Sequence, residues 1–404
     1  MRKINIFYIL ILLVVFIDIQ KVCAETITLN QIINIVLKNN PELKAIEAKL
    51  GINDAQILKA KTRINPLLIS DSGIAEKTYR VGIQQTIEVA NKRKKRINLA
   101  QTQKEVALNE KETYILELKV NVKNAYIELY NAQQKYNITN EILNTTKELF
   151  EVAKKRQIAG DIALLDVLQA EITMINVKNN LENAKLGIIK SFNILNAFTG
   201  ETLDNDIILM PANLSVQNNT IEKLKEKAYF FRPEIKGLMQ QIEITKQQIE
   251  IAKTNIIPNL VIGAGPSIIE ENNKIKANLF ITTSLELPIF DYQQGAINEA
   301  LAQKIQLEKE LEVMKNKISL EIKNAFSQIN STGESIKIYE NELIPKANDV
   351  VNKSRRSFEE GKSNIVIPLN AQQSYINIKF DYIQTLIEYQ KAINNLERAV
   401  GGVL

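Results

Sequence analysis

The sequence predicts a mainly α-helical protein with a small β part, in which one unit of long antiparallel coiled-coil helices plus β-hairpins occurs twice. The first observation is an internal repeat at an offset of about 200 residues, visible in residues 40–43 and 232–235 and again in residues 123–125 and 323–325. The second is a strict 3,4 spacing of apolar residues that extends far beyond an ordinary helix. The third is a short change to period two in each copy.

The N-terminus predicts a signal peptide for export. Arg2 and Lys3 give a positive start, residues 6–17 form an unbroken apolar run, and a small-residue cleavage site ends at Ala24. The apolar run is too short to cross a bilayer as a helix, which argues against a membrane anchor. Cys23 is the only cysteine, and its lipidation is the alternative to removal of the segment.

The repeat and the signal peptide together predict the domain order. It consists of a signal peptide at 1–24, a first repeat at 25–200, a linker at 201–220 and a second repeat at 221–404. The linker is placed there because it is the one long stretch rich in turn-forming residues between the repeats.

The composition excludes several classes of function. The chain has no histidine and no tryptophan and, once the signal peptide is removed, no cysteine. It therefore lacks disulfides, the imidazole and thiolate ligands of most zinc and copper sites, and the Ser-His or Cys-His pairs of nucleophilic enzymes. A near-neutral balance of charges gives no case for nucleic-acid binding. The prediction is a protein that is not an enzyme and that uses no cofactor or metal.

Each repeat is predicted to begin with a helix that a proline divides. In the first repeat the helix opens at Thr28 and ends near Pro66, and in the second it covers about residues 221–257. Pro41 and Pro233 are expected to kink this helix or to start its second segment, because proline is tolerated in a first helical turn but not in a helix interior.

Two strands follow in each repeat, at about residues 67–90 and 260–288, with apolar and polar residues in alternation. On a soluble core these would be ordinary hairpins. In a membrane barrel the apolar face would meet lipid and the polar face a wet lumen. Four strands per chain cannot close a barrel, so the second interpretation requires oligomerisation. The candidate lipid-facing residues are Tyr79, Val81, Ile83, Ile87, Val89, Leu279, Ile281, Leu285 and Leu287.

A very long helix follows in each repeat, over residues 91–159 and 293–360. At about 1.5 Å per residue each would measure about 100 Å, and the 3,4 spacing predicts coiled-coil packing. Pro345 should bend or loosen the second one. Gly160 and Gly361 are expected to end the two long helices at hairpin tips, and a return helix follows each tip.

The residues of both repeats resemble those of the TolC-like outer membrane efflux proteins. Residues 285–291 are similar to the strand-to-helix junction of that family, and residues 164–171 and 369–372 resemble its hairpin tips. The resemblance covers essentially all of residues 25–404. The junction at residues 87–93 resembles the heavy-metal subgroup of the family.

The resemblance implies a homotrimer in the outer membrane, with a trimeric α-barrel in the periplasm topped by a twelve-strand transmembrane β-barrel. It implies passive conduction in a tripartite efflux or type I secretion system. The tips would meet a periplasmic adaptor (membrane fusion) protein and, through it, an inner-membrane RND or ABC pump that supplies the energy. The alternative is a periplasmic coiled-coil adaptor or structural protein, which usually has one helical hairpin flanked by β domains.

Candidate site residues lie at the two tips. Asp161 is expected to cap the return helix. The resemblance implies that Asp166, repeated by threefold symmetry, would form a carboxylate ring that favours cations. Where family members carry acids at the second tip, this chain has Ile367 and Asn370. The candidates for contact with the adaptor are Arg156, Gly160, Arg356 and Gly361.

Two sets of cations have an alternative interpretation. The arginines before the tips could complement the dipoles of their own helices instead of contacting an adaptor. The basic run at residues 92–96 predicts either a solvated helix start or a position near anionic headgroups at the rim of the barrel.

Overall fold

The computed structural model of the chain describes residues 26–73, 77–201, 203, 208–209, 220–271 and 274–402. The predicted signal peptide, with Cys23, and most of the predicted linker lie outside these described residues. Among the described helices, none combines the length and the hydropathy of a membrane-spanning segment.

The chain is mainly helical, as predicted. In chain order the described elements are β1 Thr26–Ile27, α1 Leu29–Asn39, α2 Pro41–Lys61, β2 Leu67–Gly73, β3 Thr78–Ile87, α3 Lys92–Ile158, α4 Leu164–Thr199, β4 Ile208–Leu209, α5 Ile221–Phe231, α6 Pro233–Asn255, β5 Leu260–Glu271, β6 Lys274–Leu285, α7 Gln294–Ile338, a π-helical turn Tyr339–Leu343, α8 Ile344–Glu359 and α9 Val366–Val400.

These elements form two compact units, and each unit takes segments from both sequence repeats. The first unit consists of the segment up to Pro41 and of residues 117–218 and 324–398, and it contains the two hairpin tips. The second unit contains the four long strands and the start of each long helix.

Prolines divide the opening helices where the sequence predicted it. Thr28 caps α1 in a capping box, in which the Gln31 side chain accepts the Thr28 N–H at 2.7 Å. Pro41 and Pro233 are the first residues of α2 and α6, where the missing N–H would have had no helical partner.

The long helices match their predicted bounds. Helix α3 has 67 residues without interruption. Its counterpart is interrupted by a five-residue π-helical turn that ends two positions before Pro345. Proline removes one N–H and its ring clashes with the preceding turn, and the wider π turn relieves that clash. The predicted loosening at Pro345 is confirmed.

Glycines end both long helices with the same motif. Gly160 has φ +86° and Gly361 has φ +75°, a region that only glycine adopts at little cost. At the first tip the N–H of Gly160 donates to Gln157 O at 3.0 Å, and the next N–H reaches Arg156 O at 2.9 Å. The second tip repeats this pair of bonds at 3.0 and 2.8 Å. This is the Schellman arrangement that satisfies the last carbonyls of a helix.

The four long strands form one antiparallel sheet in the order β2-β3-β5-β6. Two predicted strand residues lie beyond its ends. Val89 follows the end of β3, because Ala90 and Asn91 adopt φ +55° and +61° to turn the chain into α3. Leu287 follows the end of β6 and directly precedes Pro288, which cannot donate a ladder hydrogen bond. The assignment of Val89 and Leu287 to strands was therefore wrong.

A buried ion network holds the start of α6. Arg232 is only 2% exposed and donates to Glu234 at 2.9 and 2.7 Å and to Glu321 at 3.1 Å. The equivalent residue of the first repeat is Asn40, whose amide donates to Phe198 O at 3.2 Å. The second repeat therefore uses charge where the first uses a neutral amide.

We expect Arg232→Met to lower the free energy of unfolding by about 3 kcal/mol, because it leaves two partly buried carboxylates, each 18% exposed, without their cation. The midpoint of thermal unfolding of the detergent-solubilised protein measures this. The matched control is Lys309→Ala, which removes an exposed ion pair with Glu312 and should leave the midpoint almost unchanged. Equal midpoints for the two variants would contradict the prediction.

Candidate functional site

One face of the four-stranded sheet is apolar and exposed. The register places Leu68 opposite Ile83, Ile83 opposite Ala264, and Ala264 opposite Ile281, so one lateral row crosses all four strands. Cross-strand partners share a face. The other large apolar side chains of this face are also exposed, and they are Tyr79, Val81, Ile87, Ile262, Ile268, Ile275, Leu279 and Leu285.

The predicted alternation is thus present in three dimensions. The structure brings the predicted residues of β3 together with those of β6 on one surface, although β5 separates the two strands. Ile281 is 71% exposed, far above what an apolar side chain of a soluble core shows. The contribution of β5 to this face had not been predicted, because its residues 262–268 include glycine and proline and look weakly apolar.

The opposite face combines mostly polar side chains with four glycines and a few apolar residues, of which Leu67 is exposed. Phe280 on β6 pairs with Gly265 on β5, and a Cβ at Gly82 on β3 would lie 2.7 Å from Phe280 Cζ. The ring must therefore lie flat across the backbone of β5 to reach β3. A side chain at Gly82 would collide with it, and one at Gly263 would lie 2.6 Å from Thr282 Oγ1. Glycine at such positions allows close approach in a sheet.

The basic run at residues 92–96 binds the end of α2. Arg93 Nε donates to Lys61 O at 2.8 Å, and Arg96 Nε donates to Ala60 O at 3.2 Å. These carbonyls belong to the last turn of a helix, where no backbone partner remains. The positive charge also complements the negative end of the helix dipole.

The same run contacts the segment that follows α6. Lys92 Nζ donates to Ile257 O at 2.5 Å, and Arg96 pairs with Glu88 at 2.5 Å across the strand-to-helix junction. Within the run only Lys94 is exposed. A fully solvated helix start is therefore wrong for most of this run, which joins helix ends within the second unit. Its position near anionic headgroups stays a prediction.

Arg156 connects the two hairpin tips in the first unit. Its Nη1 donates to Phe358 O at 2.6 Å, and its guanidinium lies 4.8 Å from the centre of the Phe358 ring. The Arg156 side chain is 17% exposed, and Phe358 is fully buried. A cation over an aromatic face is attractive, and more so when water is excluded. The sequence shows the cation and the ring but not that they meet.

Asp161 does not cap the return helix, contrary to the prediction. Helix α4 begins at Leu164, three residues later, and the Asp161 carboxylate lies 3.8 Å from Arg156 Nε. The Asp166 carboxylate instead accepts the N–H of Ala163 at 3.3 Å. Two residues separate Asp161 from Leu164, so its carboxylate is not at the capping position of α4. Asp166, in the first turn of α4, accepts the backbone N–H that precedes the helix instead.

The other tip candidates lie on the surface. Gly160, Gly361, Ile367 and Asn370 are exposed, and so is Arg356. Near Arg356, the hydrogen bond from Lys362 lowers the pKa of the Glu360 carboxyl below its usual value. Arg156 and Arg356 thus differ, since the first is committed to an internal contact and the second is available to solvent.

Helix α4 presents an exposed apolar row that sequence reasoning had not singled out. The row contains Leu165, Leu168, Ile172 and Ile175, at the 3,4 spacing of a coiled-coil seam. The spacing itself was the available signal. The 3,4 spacing identifies an apolar stripe on α4, but it does not show whether another part of the same chain packs over that stripe.

The part of the chain that the structure describes offers no candidate metal centre. No group of three or more Asp, Glu, His or Cys residues there could hold a metal ion. Burial and a hydrogen bond to Glu340 raise the pKa of the Tyr382 phenol to about 12.

Comparison with known proteins places these features in context. A family model described as outer membrane efflux protein matches residues 32–201 and 226–402. The cobalt-zinc-cadmium resistance protein CzcC of Cupriavidus metallidurans is 22% identical over 384 residues, which are 94% of this chain and 91% of that protein.

Solved structures show the same fold. The outer-membrane channel OprN superposes with a TM-score of 0.78 at 16% identity, over 93% of this chain and 90% of that one. CusC, whose structures concern transmembrane channel formation, gives 0.78 at 14% identity, over 93% and 92%. The predicted fold class, long helical hairpins with β-hairpins in a duplicated chain, is confirmed.

We expect Arg156→Ala to destabilise the tips by about 2 kcal/mol, because it removes a charge-assisted hydrogen bond and a cation–π contact. Hydrogen exchange is the local measurement, and the amides of Gly361 and Lys362 should exchange faster. Arg356→Ala is the matched control, since that side chain is exposed two residues before Phe358. Unchanged exchange in Arg156→Ala would show that the contact contributes nothing.

Proposed function

The chain belongs to the outer membrane efflux protein family, and from this membership we propose that it is the exit channel of a tripartite efflux system. A pump in the inner membrane and a periplasmic adaptor pass substrate to it, and it conducts passively across the outer membrane. The observation that carries this proposal is the sheet with one exposed apolar face and one polar face. Such a sheet suits lipid on one side and water on the other.

The edges of the sheet support a homotrimer. Within the described chain, β2 and β6 each pair on one side only. In hydrocarbon an unpaired row of N–H and C=O groups is too costly, so the edges must be joined. Three copies supply twelve strands, enough to enclose an aqueous lumen. The exposed row of α4 supports the same assembly in the helical part, because a coiled-coil seam needs a partner helix.

The proposed substrate class is divalent metal cations. CzcC, which matches nearly the whole chain, is by name a cobalt-zinc-cadmium resistance protein. The pump selects the substrate, so the channel needs no tight site of its own, and family members act as channels. We accordingly propose that the chain catalyses no reaction and that residues 25–200 and 221–404 act as two copies of one conducting unit.

The two tips are the proposed gate and adaptor contact. Asp161, Asp166, Ile367 and Asn370 are the gate candidates, and the geometry supports Asp166 most strongly, because its carboxylate is only half-buried while it caps α4. Among the arginines, the exposed Arg356 suits an adaptor better than Arg156, whose guanidinium is already bound to Phe358.

Fractionation with a tolerance assay tests the function. The protein should appear in the outer membrane as detergent-requiring trimers, and deletion of its gene should lower tolerance to cobalt, zinc and cadmium. Loss of tolerance to organic drugs alone would move the substrate class from metals to drugs. A soluble periplasmic monomer would refute the channel.

We expect Ile281→Arg to cost about 2–4 kcal/mol if this side chain lies near mid-bilayer, and to reduce the yield of inserted trimers. Thr282→Arg is the matched control, because the neighbouring side chain points to the polar face of the same strand. The yield of heat-modifiable trimers in the outer membrane is the measurement. Equal yields for both variants would contradict a lipid-facing sheet.

We expect Asp166→Asn to lower the cation preference of the open channel, because it removes up to three charges from one ring. Asparagine keeps an oxygen that can accept the Ala163 N–H, so the helix cap survives while the charge is lost. The reversal potential of single channels in a salt gradient measures the preference. An unchanged reversal potential would leave Asp166 with the capping role alone.

A further inference from the structure

Two polar contacts join the long helix of the first repeat to the return helix of the second, within the first unit. Asn394 on α9 is fully buried, and its Nδ2 donates to Asn124 Oδ1 on α3 at 2.9 Å. About six helical turns nearer the tips, Gln372 Nε2 donates to Thr145 Oγ1 and to Thr146 Oγ1, both at 2.8 Å. These two contacts fix the register of α9 along α3.

The sequence repeat gives each of these positions a counterpart. The offset is 200 residues at positions 123–125 and 201 at the tips, where Gly160 and Gly361 donate equivalent hydrogen bonds. The π-helical turn at residues 339–343 lies between these points. It takes up the additional residue, because its hydrogen bonds span five residues instead of four.

The buried amide pair is retained in the counterparts. Asn124 corresponds to Asn324 on α7, and Asn394 corresponds to Asn193 on α4. Both counterparts are exposed, whereas Asn394 is fully buried. The chemistry of the contact is therefore present twice, but a single chain completes it only once.

The second polar contact has charged counterparts. Gln372 corresponds to Glu171 on α4, and Thr145 corresponds to Lys346 on α8, so two neutral groups become a carboxylate and an ammonium. The Lys346 side chain is 74% exposed. Because Gln372 contacts Thr146 as well as Thr145, an offset of 200 would also place Lys346 opposite Glu171. The two charges are opposite in sign, as a direct contact requires.

Apolar positions follow the same correspondence. Leu149 on α3 and Leu369 on α9 are buried in one cluster. Their counterparts, Val350 on α8 and Leu168 on α4, are exposed. The same positions are thus covered where the chain packs on itself and open where a neighbouring copy would lie.

We propose that α4 of one copy packs against α7 and α8 of the next copy as α9 packs against α3 within the chain. Glu171 with Lys346, and Asn193 with Asn324, are the two polar pairs of this contact, which we call the interchain seam. The proposal rests on the proposed trimer and adds its register. The occupant of the exposed row of α4 is therefore a second copy of this chain.

The charged pair makes the interchain seam selective. A contact between two different surfaces closes into a ring when its rotation is right. Packing of like surfaces would instead bring Glu171 against Glu171, or Lys346 against Lys346, and like charges disfavour that arrangement. The neutral contact within the chain needs no such selection, because the connection of the chain already determines which helices meet.

Disulfide cross-linking tests the register, because residues 25–404 contain no cysteine. Two chains with different tags are co-expressed, one with Glu171→Cys and the other with Lys346→Cys. We expect a covalent dimer that carries both tags and that a reducing agent separates. In the control, Lys353→Cys replaces Lys346→Cys. Lys353 lies on the same face of α8 about 10 Å further along the helix, so it should not cross-link.

Charge reversal tests the ion pair itself. Glu171→Lys and Lys346→Glu should each lower the trimer-to-monomer ratio by up to about fivefold, because each brings like charges together. The double variant should restore the ratio. Lys346→Glu also breaks the pair with Glu342 on its own helix, but the double variant breaks that pair too. Recovery therefore reports on the contact with Glu171 alone.

The mass of the wild-type protein in detergent separates the interchain seam from the proposed function. If the wild type is trimeric but the doubly tagged dimer or the recovery is missing, the seam is overturned and the trimeric channel stands. If the wild type is a monomer, the channel and the seam both fail.

Discussion

The structure depends on one constraint, which is that every backbone N–H and C=O of the sheet needs a partner. A single chain provides four strands and satisfies the inner ladders β2-β3, β3-β5 and β5-β6, but each outer strand pairs on one side only. In water such edges invite aggregation, and in lipid they are prohibitive. The proposed assembly therefore supplies the partners that the two edge strands need. The exposed apolar face and the exposed row of α4 express the same need in side chains.

Within each unit, cations at helix ends hold segments that are distant in sequence. Arg93 and Arg96 bind the last carbonyls of α2, Arg156 binds the carbonyl of Phe358, and Arg232 lies buried between two glutamates. Each places positive charge beside a backbone carbonyl or carboxylate oxygen near a helix end. The last carbonyls of a helix have no partner within the helix, and the helix dipole is negative there. A cation from a neighbouring segment therefore fixes the position of the helix end against that segment.

Much of this organisation could be predicted from the sequence, because it depends on local chemistry. Pro41 and Pro233 start helices, Gly160 and Gly361 end them, and Pro345 disturbs one, since each acts through its own backbone. The alternation in β3 was equally local. The order of strands in the sheet requires a pairing that no local pattern specifies.

The candidate site was less predictable for the same physical reason. Asp161 was expected to be a cap, but capping depends on where the turn places the helix start, and Asp166 lies closer to it. The run at residues 92–96 looked like a surface feature because charge is usually solvated. Its role depends on Lys61 and Ile257, which lie far away in sequence. The sequence shows which side chains are charged, but it does not show which backbone oxygens they bind in the folded chain.

The two strand-to-helix junctions show how a duplicated gene gains freedom. An assembly of identical half-length chains would have to use every junction in the same way, because one mutation changes all copies. Fusion of two copies in one reading frame lets selection act separately on Glu88, which pairs with Arg96 at the first junction, and on Phe290 at the second. In the proposed trimer two kinds of strand-to-helix junction alternate around the ring, so its rotational symmetry is half of what six repeats would otherwise allow. Divergence within one polypeptide thereby gives the assembly a division of labour that a symmetric ancestor could not have.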